Sequence, residues 1–320
     1  LSAHQPSGRW QLGLSLALLT AVFWGVLPVA ITAILPAMDV LTITWYRLLV
    51  AAVLVGGYQY YKGGLGWRQL RRANLALYML AAVTGLVINY LLWAIGLDYS
   101  STEATQVVIQ VAPLLLMVIS VWLYKEPFGS WQVLGLVVFI AGLLLFFNRS
   151  IVNVFEGGGS SRYHQGILIV FVSALSWVVY GLAQKRLLKD FRSPQILATI
   201  YIGGAFFLLP LAKPEQLLNL DQTQLYCLVF ASFSTIVSYG AFAMAMEHWQ
   251  ASRVSATVAI TPLTSVLAVH IAAWALPGIV TPEQLSWLSW LGAFLVVAGT
   301  MTIALVKTKA KPKPTDETNP

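Results

Sequence analysis

The 320-residue chain is 58% hydrophobic and only 10% charged, with a mean hydropathy of +0.75. Soluble domains carry about 25% charged residues, so a chain this apolar could not cover its own surface in water and reads as an integral membrane protein. The net charge of +7 does not point to nucleic acid, because no Lys/Arg stripe is interleaved with solvent-facing aromatics, and membrane proteins collect basic residues in cytoplasmic loops.

A bilayer core needs about 20 apolar residues per helix. On that scale ten spans are predicted, over roughly 11–34, 40–61, 75–97, 101–124, 131–147, 165–187, 195–212, 223–246, 252–276 and 285–306. The first run is too long for a signal-peptide core and no small-x-small site follows it, so it reads as a span; it carries Trp24. The second contains TITWYRLLVAAVLV, in which Arg47 lies about eight residues past Asp39, or roughly 12 Å into the helix. The third carries Asn89, Tyr90 and Trp93. The fourth places Glu103, Gln106, Gln110, Pro113 and Met117 on one helical face. The fifth and tenth hold Gly135 with Gly142 and Gly292 with Gly299, pairs that read as close-packing scaffold. Next comes VFEGGGSSRYHQG (154–166), a Gly/Ser-rich tract expected to be a flexible linker. Beyond it the sixth span carries Trp177 and Tyr180, and the eighth Ser238, Tyr239 and the single cysteine, Cys227, which excludes an internal disulfide and a Cys-rich metal site. The ninth carries Ser255, Thr257, Thr261, Pro262, Thr264, Ser265 and His270. The stretch 307–320 reads as a disordered basic tail.

Orientation follows from the basic residues. With the N-terminus inside, every Lys and Arg outside the spans falls on the cytoplasmic side, except Arg149, Arg162 and Lys213. One missed or invented helix would reverse every later loop and destroy that asymmetry. Both termini are therefore expected in the cytoplasm, the linker in the periplasm, and the protein in the inner (plasma) membrane.

The chain also repeats itself. When Asn89–Tyr99 is laid on Ser238–His248, Tyr90 falls on Tyr239, Asp98 on Glu247 and, without a gap, Pro113 on Pro262. With small shifts Trp24 falls on Trp177, Gly135 on Gly292 and Gly142 on Gly299. Arg47 falls near the uncharged Ile202. The expected fold is therefore an all-α integral membrane protein, its ten transmembrane helices forming two inverted five-helix repeats, 1–153 and 167–306. An odd number of helices per half places the halves in opposite orientations. Such repeats are common in secondary transporters, with the substrate site near the midplane between them, although a duplicated scaffold need not transport.

The five-plus-five plan resembles the drug/metabolite transporter superfamily and the EamA-like exporters within it, over nearly the whole chain. Trp24, the segment YRLLVAA around Arg47, the Pro113 helix and LYKEPFGSWQVLGLVVFIAGLLL carry the resemblance. In the last of these, Glu126, Gly135 and Ala141-Gly142 match the family's pattern. The second half departs from it: Trp274-Ala275 stands where the first half has Lys125-Glu126, and the acidic corner is lost or displaced to Glu283. The resemblance implies export of metabolites, often amino acids or related small molecules, and an arginine at position 47 is usual in it.

The residues themselves suggest a pathway. Trp24, Asn89, Tyr90, Trp93, Gln106, Gln110, Trp177, Tyr180, Ser238, Tyr239, Thr257 and Thr261 would line a cavity of aromatic, amide and hydroxyl groups suited to small amphipathic solutes. Helix–helix hydrogen bonding and ordinary packing are the alternatives. Pro113 and Pro262 should break their helices and free backbone carbonyls. Trp45, Trp67, Trp249, Trp287 and Trp290 lie near span ends and read as an interfacial belt. Three charge or coupling candidates stand out. Arg47 could form an ion pair with Glu103 or hold a substrate carboxylate, and His270, expected to be buried, could couple protons or simply be packed. No HExxH, G-x-S-x-G or paired intramembrane aspartate points to an enzyme. No cofactor, metal, nucleic acid or obligate protein partner is expected, only the bilayer and a small-molecule substrate.

Overall fold

The computed structural model describes residues 6–100, 102–125, 128–146, 148, 151–152, 161–275 and 286–306. The side chain of Glu103, Glu126, Glu283 and the tail from 307 lie outside the described residues. The described residues form helices and turns without strands. They comprise α1 (Trp10–Ile34), α2 (Val40–Tyr61), α3 (Ala73–Tyr99), α4 in two pieces (Thr102–Ile109 and Val111–Tyr124) and α5 (Ser130–Phe146). They continue with α6 (Ser161–Leu187), α7 (Ser193–Leu208), α8 (Gln222–His248), α9 in two pieces (Ala251–Val258 and Thr261–Ala275) and α10 (Trp287–Leu305). Among the described residues seven helices are long and apolar enough to cross a membrane, counting α9 as one; Val111–Tyr124, α5 and α7 are shorter apolar helices. Large side chains such as Trp122, Phe206 and Phe294 are exposed on the outside, a surface that lipid tolerates and water does not.

Local chemistry sets the helix starts. Asp39 caps α2 by accepting from Thr42 N (2.9 Å). Asp221 and Gln224 satisfy each other's backbone N–H groups at the start of α8, and Ser286 caps α10. The sixth helix begins at Ser161, so residues 161–166 are helical where a linker was expected. Ser-Arg-Tyr-His-Gln contains no breaker, and Arg162 is anchored to the end of α3 by Asp98 (3.0 Å) and the Tyr99 ring (4.5 Å).

Helix pairing follows a pattern. The third helix packs along α6 and the first along α8; α4 touches α6 as α9 touches α1, and α2 touches α8 as α7 touches α3. Replacing each helix by the one five places away turns each of these pairs into another of them. The fifth and tenth helices meet backbone to backbone. A Cβ on Gly142 would lie 2.6 Å from Val296 N, and one on Gly292 would collide with Phe146 N. Glycine is required there because nothing larger fits.

Two tryptophans correct the expected interfacial belt. Trp45 is buried and donates from Nε1 to Ala205 O (3.1 Å). Trp249 is buried against Gly13. Trp67, Trp287 and Trp290 are exposed. Position near a span end fixes depth in the membrane but not which way the side chain points.

Candidate functional site

The helices converge on a central cavity whose described lining comes from α1, α2, α3, α4, α6, α8 and α9. The first helix brings Trp24 and the sixth Trp177, their rings edge to face with centroids 5.8 Å apart. The eighth helix inserts Tyr239 against Trp24 (5.2 Å) and Tyr90 (5.1 Å). Phe242, one turn further along α8, closes the cluster against Trp177 (5.1 Å). Such pairs contribute about 0.5–1.5 kcal/mol each beyond burial, so the wall is rigid as well as apolar. The cavity has about 80 Å³ open to the centres of water-sized molecules, where one water needs about 10–15 Å³.

The breaks in α4 and α9 expose its polar face. Proline has no N–H for the carbonyl four residues back. The helix therefore breaks ahead of it, at Gln110 before Pro113 and between Val258 and Thr261 before Pro262. In α9 the Thr261 hydroxyl bonds the freed Val258 carbonyl. The matching residue in α4 is Ala112, which has no hydroxyl to bring to the carbonyl of Ile109, and both Ile109 and Ala112 line the cavity.

Of the sequence-predicted pathway residues, Trp24, Asn89, Tyr90, Trp93, Gln106, Gln110, Trp177, Tyr239 and Thr261 line this cavity, together with Pro113 and Arg47. Tyr180 is buried in the aromatic cluster behind Tyr239 (6.0 Å) and is not among the lining residues. Ser238 and Thr257 spend their hydroxyls on the carbonyls of Ser234 and Arg253, four residues back in their own helix. Pro262 is buried but not part of the lining. His270, expected to be buried, is exposed, with Nδ1 2.8 Å from Val266 O. The helical period turns it toward the outside of the bundle.

Arg47 is 1% exposed. Its Nε donates to Thr235 Oγ1 (3.0 Å), and the guanidinium carbon lies 4.8 Å from the Tyr90 ring centroid. None of the ion pairs among the described residues includes it. Several buried polar atoms on the lining residues share its condition. Trp24 Nε1, Tyr90 Oη, Gln106 Oε1, Gln110 Oε1 and Arg47 Nη1 and Nη2 have no hydrogen-bond partner among the described residues. An unmet buried polar group costs about 1–3 kcal/mol; six such atoms gather on this cavity, while others, among them those of Gln184 and Ser255, lie elsewhere in the bundle. Asn89 differs. Its Nδ2 donates to Ser173 O (3.1 Å) and Oγ (2.9 Å), and its Oδ1 accepts from Tyr239 Oη (3.4 Å).

Sequence reasoning missed Thr235, the residue that orients Arg47. The signal was present: Thr235 and Tyr239 are four apart, on one face of α8. It also missed Ser173, whose hydroxyl looks like any other in an apolar helix.

Comparison with known proteins agrees with the architecture. The EamA-like transporter family matches residues 11–148 and again 164–305. A protein of Escherichia coli (strain K12) named "Uncharacterized inner membrane transporter YhbE" is 39% identical over 295 residues, covering 92% of this chain and 91% of that one. An "Uncharacterized transporter" of Haemophilus influenzae is 35% identical over 295 residues, covering 92% and 95%. The "WAT1-related protein At3g02690, chloroplastic" of Arabidopsis thaliana is 26% identical over 253 residues, 75% of this chain and 59% of its own. One solved crystal structure, 16% identical, superposes with a TM-score of 0.67 over 93% of this chain and 96% of the other, a likeness of fold. The chain, a membrane transporter, belongs to the EamA-like transporter family of the drug/metabolite transporter superfamily.

Proposed function

We propose that the protein is a secondary transporter of the inner membrane that exports small amphipathic metabolites, amino acids foremost. On this reading it works by alternating access through the central cavity between two inverted five-helix repeats, with both termini cytoplasmic. The observation that carries the reading is the cavity itself, where unpartnered polar atoms from α1, α2, α3 and α4 face an aromatic wall. A small, mostly apolar cavity with an aromatic wall and a few polar groups fits solutes that are largely apolar with a polar end. The recurrence of helix pairs five places apart and the two successive family matches support the repeat. Export follows the family resemblance, and the inner membrane follows the Escherichia coli relative.

Of the described lining residues none is Asp, Glu or His, and His270 is exposed. Both facts favour facilitated passage or exchange over dedicated proton coupling, which usually needs an intramembrane acid or histidine. The test is solute flux in liposomes containing the purified protein, over a panel of amino acids, nucleosides and sugars. Amino-acid counterflow insensitive to a pH gradient is expected. Absence of flux for every class, or flux restricted to nucleosides or sugars, would overturn the proposal.

A further inference from the structure

The cavity contains a charge that helix packing alone does not explain. Arg47 lies in the first half of α2, 1% exposed. The Thr235 hydroxyl and the Tyr90 ring fix its plane, leaving both terminal nitrogens, Nη1 and Nη2, without partners among the described residues. A buried cation is tolerated when it is paired and is costly when it is not. A guanidinium held by its Nε and one face presents its outer nitrogens as a fork, and that fork matches a carboxylate bidentately. The surrounding groups limit what else the ligand can be. Trp24 and Trp177, set edge to face, offer an apolar aromatic wall. Gln106 and Gln110 each present an amide oxygen with no partner among the described residues, which can only accept.

We infer that Arg47 is the carboxylate anchor of the cavity. Its ligand is a small organic carboxylate with an apolar body and one hydrogen-bond donor, an ammonium or a hydroxyl, received by the amide oxygens of Gln106 and Gln110. The inference rests on the transport reading of the cavity, yet binding can be measured without transport. Thr235 is a positioning residue, since it holds the guanidinium by Nε and leaves the fork free.

The experiment is calorimetric titration of the purified full chain with four probes: phenylalanine, its carboxamide, 3-phenylpropionate and 2-phenylethylamine. Both acids should bind, 3-phenylpropionate three- to tenfold more weakly than phenylalanine. The carboxamide and the amine should bind at least tenfold more weakly than phenylalanine. Arg47→Met should abolish the preference of acid over amide while the melting temperature holds or rises, because replacing a buried charge by an apolar side chain is often neutral or stabilising. Arg47→Lys should keep part of the preference, having the charge without the fork. Thr235→Val should weaken acid binding severalfold and leave the carboxamide unaffected.

Equal binding of acid and carboxamide by the wild type, or no binding of either acid, overturns the inference. So does a lower melting temperature in both Arg47→Met and Glu103→Gln, which would make Arg47 the structural partner of that carboxylate. Flux in liposomes separates this inference from the transport reading. Acids that bind selectively but never cross leave the anchor standing and remove the transport reading. Solutes that cross regardless of a carboxylate remove the anchor and leave transport standing.

Discussion

Asn89 and Gln106 line the same cavity and carry the same amide group, yet they have opposite relations to the fold. The nitrogen of Asn89 is spent on Ser173, and the Ser173 hydroxyl returns a bond to the Asn89 carbonyl (3.0 Å). This closed exchange joins α3 to α6. Asn89→Leu should therefore lower stability by roughly 1–3 kcal/mol, read as a lower melting temperature in detergent. Ser173→Ala should do likewise, and the double variant should cost less than the sum of the two, because both break one network. Gln106→Leu removes an oxygen that has no partner among the described residues. It should leave the melting temperature unchanged or raised while lowering solute flux; an equal loss of stability in both variants would contradict the distinction. The sequence marked both positions as polar residues in apolar helices, but which amide was satisfied depended on a serine across a helix interface. The depth of Arg47 was legible from residue spacing. Its surroundings were not, because Thr235 and Tyr90 reach it only through packing.

At the scale of elements, the glycine seam between α5 and α10 makes a sharp claim. A side chain on Gly292 would meet the Phe146 backbone nitrogen, which cannot step aside. Gly292→Val should reduce stability by at least the roughly 1–3 kcal/mol typical of overpacking, measured as thermal aggregation or a loss of monodisperse protein. Gly240, in the middle of α8, has open space around its Cβ direction, and Gly240→Ala should be tolerated. Equal effects at the two positions would rule out backbone contact as the reason for glycine in the seam. The seam was visible in the sequence because its glycines recur at one spacing in both halves. The helix breaks were half visible. The prolines announced them, but the interruption falls before each proline, where the carbonyl loses its donor. The π turn at Ala52–Gly56 in α2 left no such mark. It lies against α7, where Gly56 approaches Ile202, and nothing in AAVLVGG distinguishes that turn from ordinary helix.

For the molecule as a whole, the placement of lysine and arginine is the handle on orientation. Cysteines introduced at Lys213 and at Arg68 in the Cys227→Ser background should differ in labelling by a membrane-impermeant thiol reagent. Intact cells should label the first and spare the second, and permeabilised cells should label both. The reverse pattern would invert the topology and, with it, which end of the cavity faces the cytoplasm. The composition made the membrane class plain because no arrangement of so few charges could solvate the chain. It could not show how the spans group around a cavity, which depends on contacts between helices far apart in sequence.

Arg47 has a further consequence. On the inverted-repeat reading its counterpart is near Ile202, so the one charge among the described lining residues has no twin. A strictly symmetric chamber would accept an elongated solute either way round, and its two entrances would be mirror images. With Arg47 as the carboxylate anchor, a single guanidinium gives the chamber a head and a tail, and a bound solute a fixed polarity. On the alternating-access reading, the same half of the molecule always holds the charged end as the bundle alternates. The solute thus enters from one side with its anchored end leading and from the other with it trailing. This asymmetry cannot choose the direction of net flow, which the gradients set, but it makes the two faces of one transporter unequal in affinity.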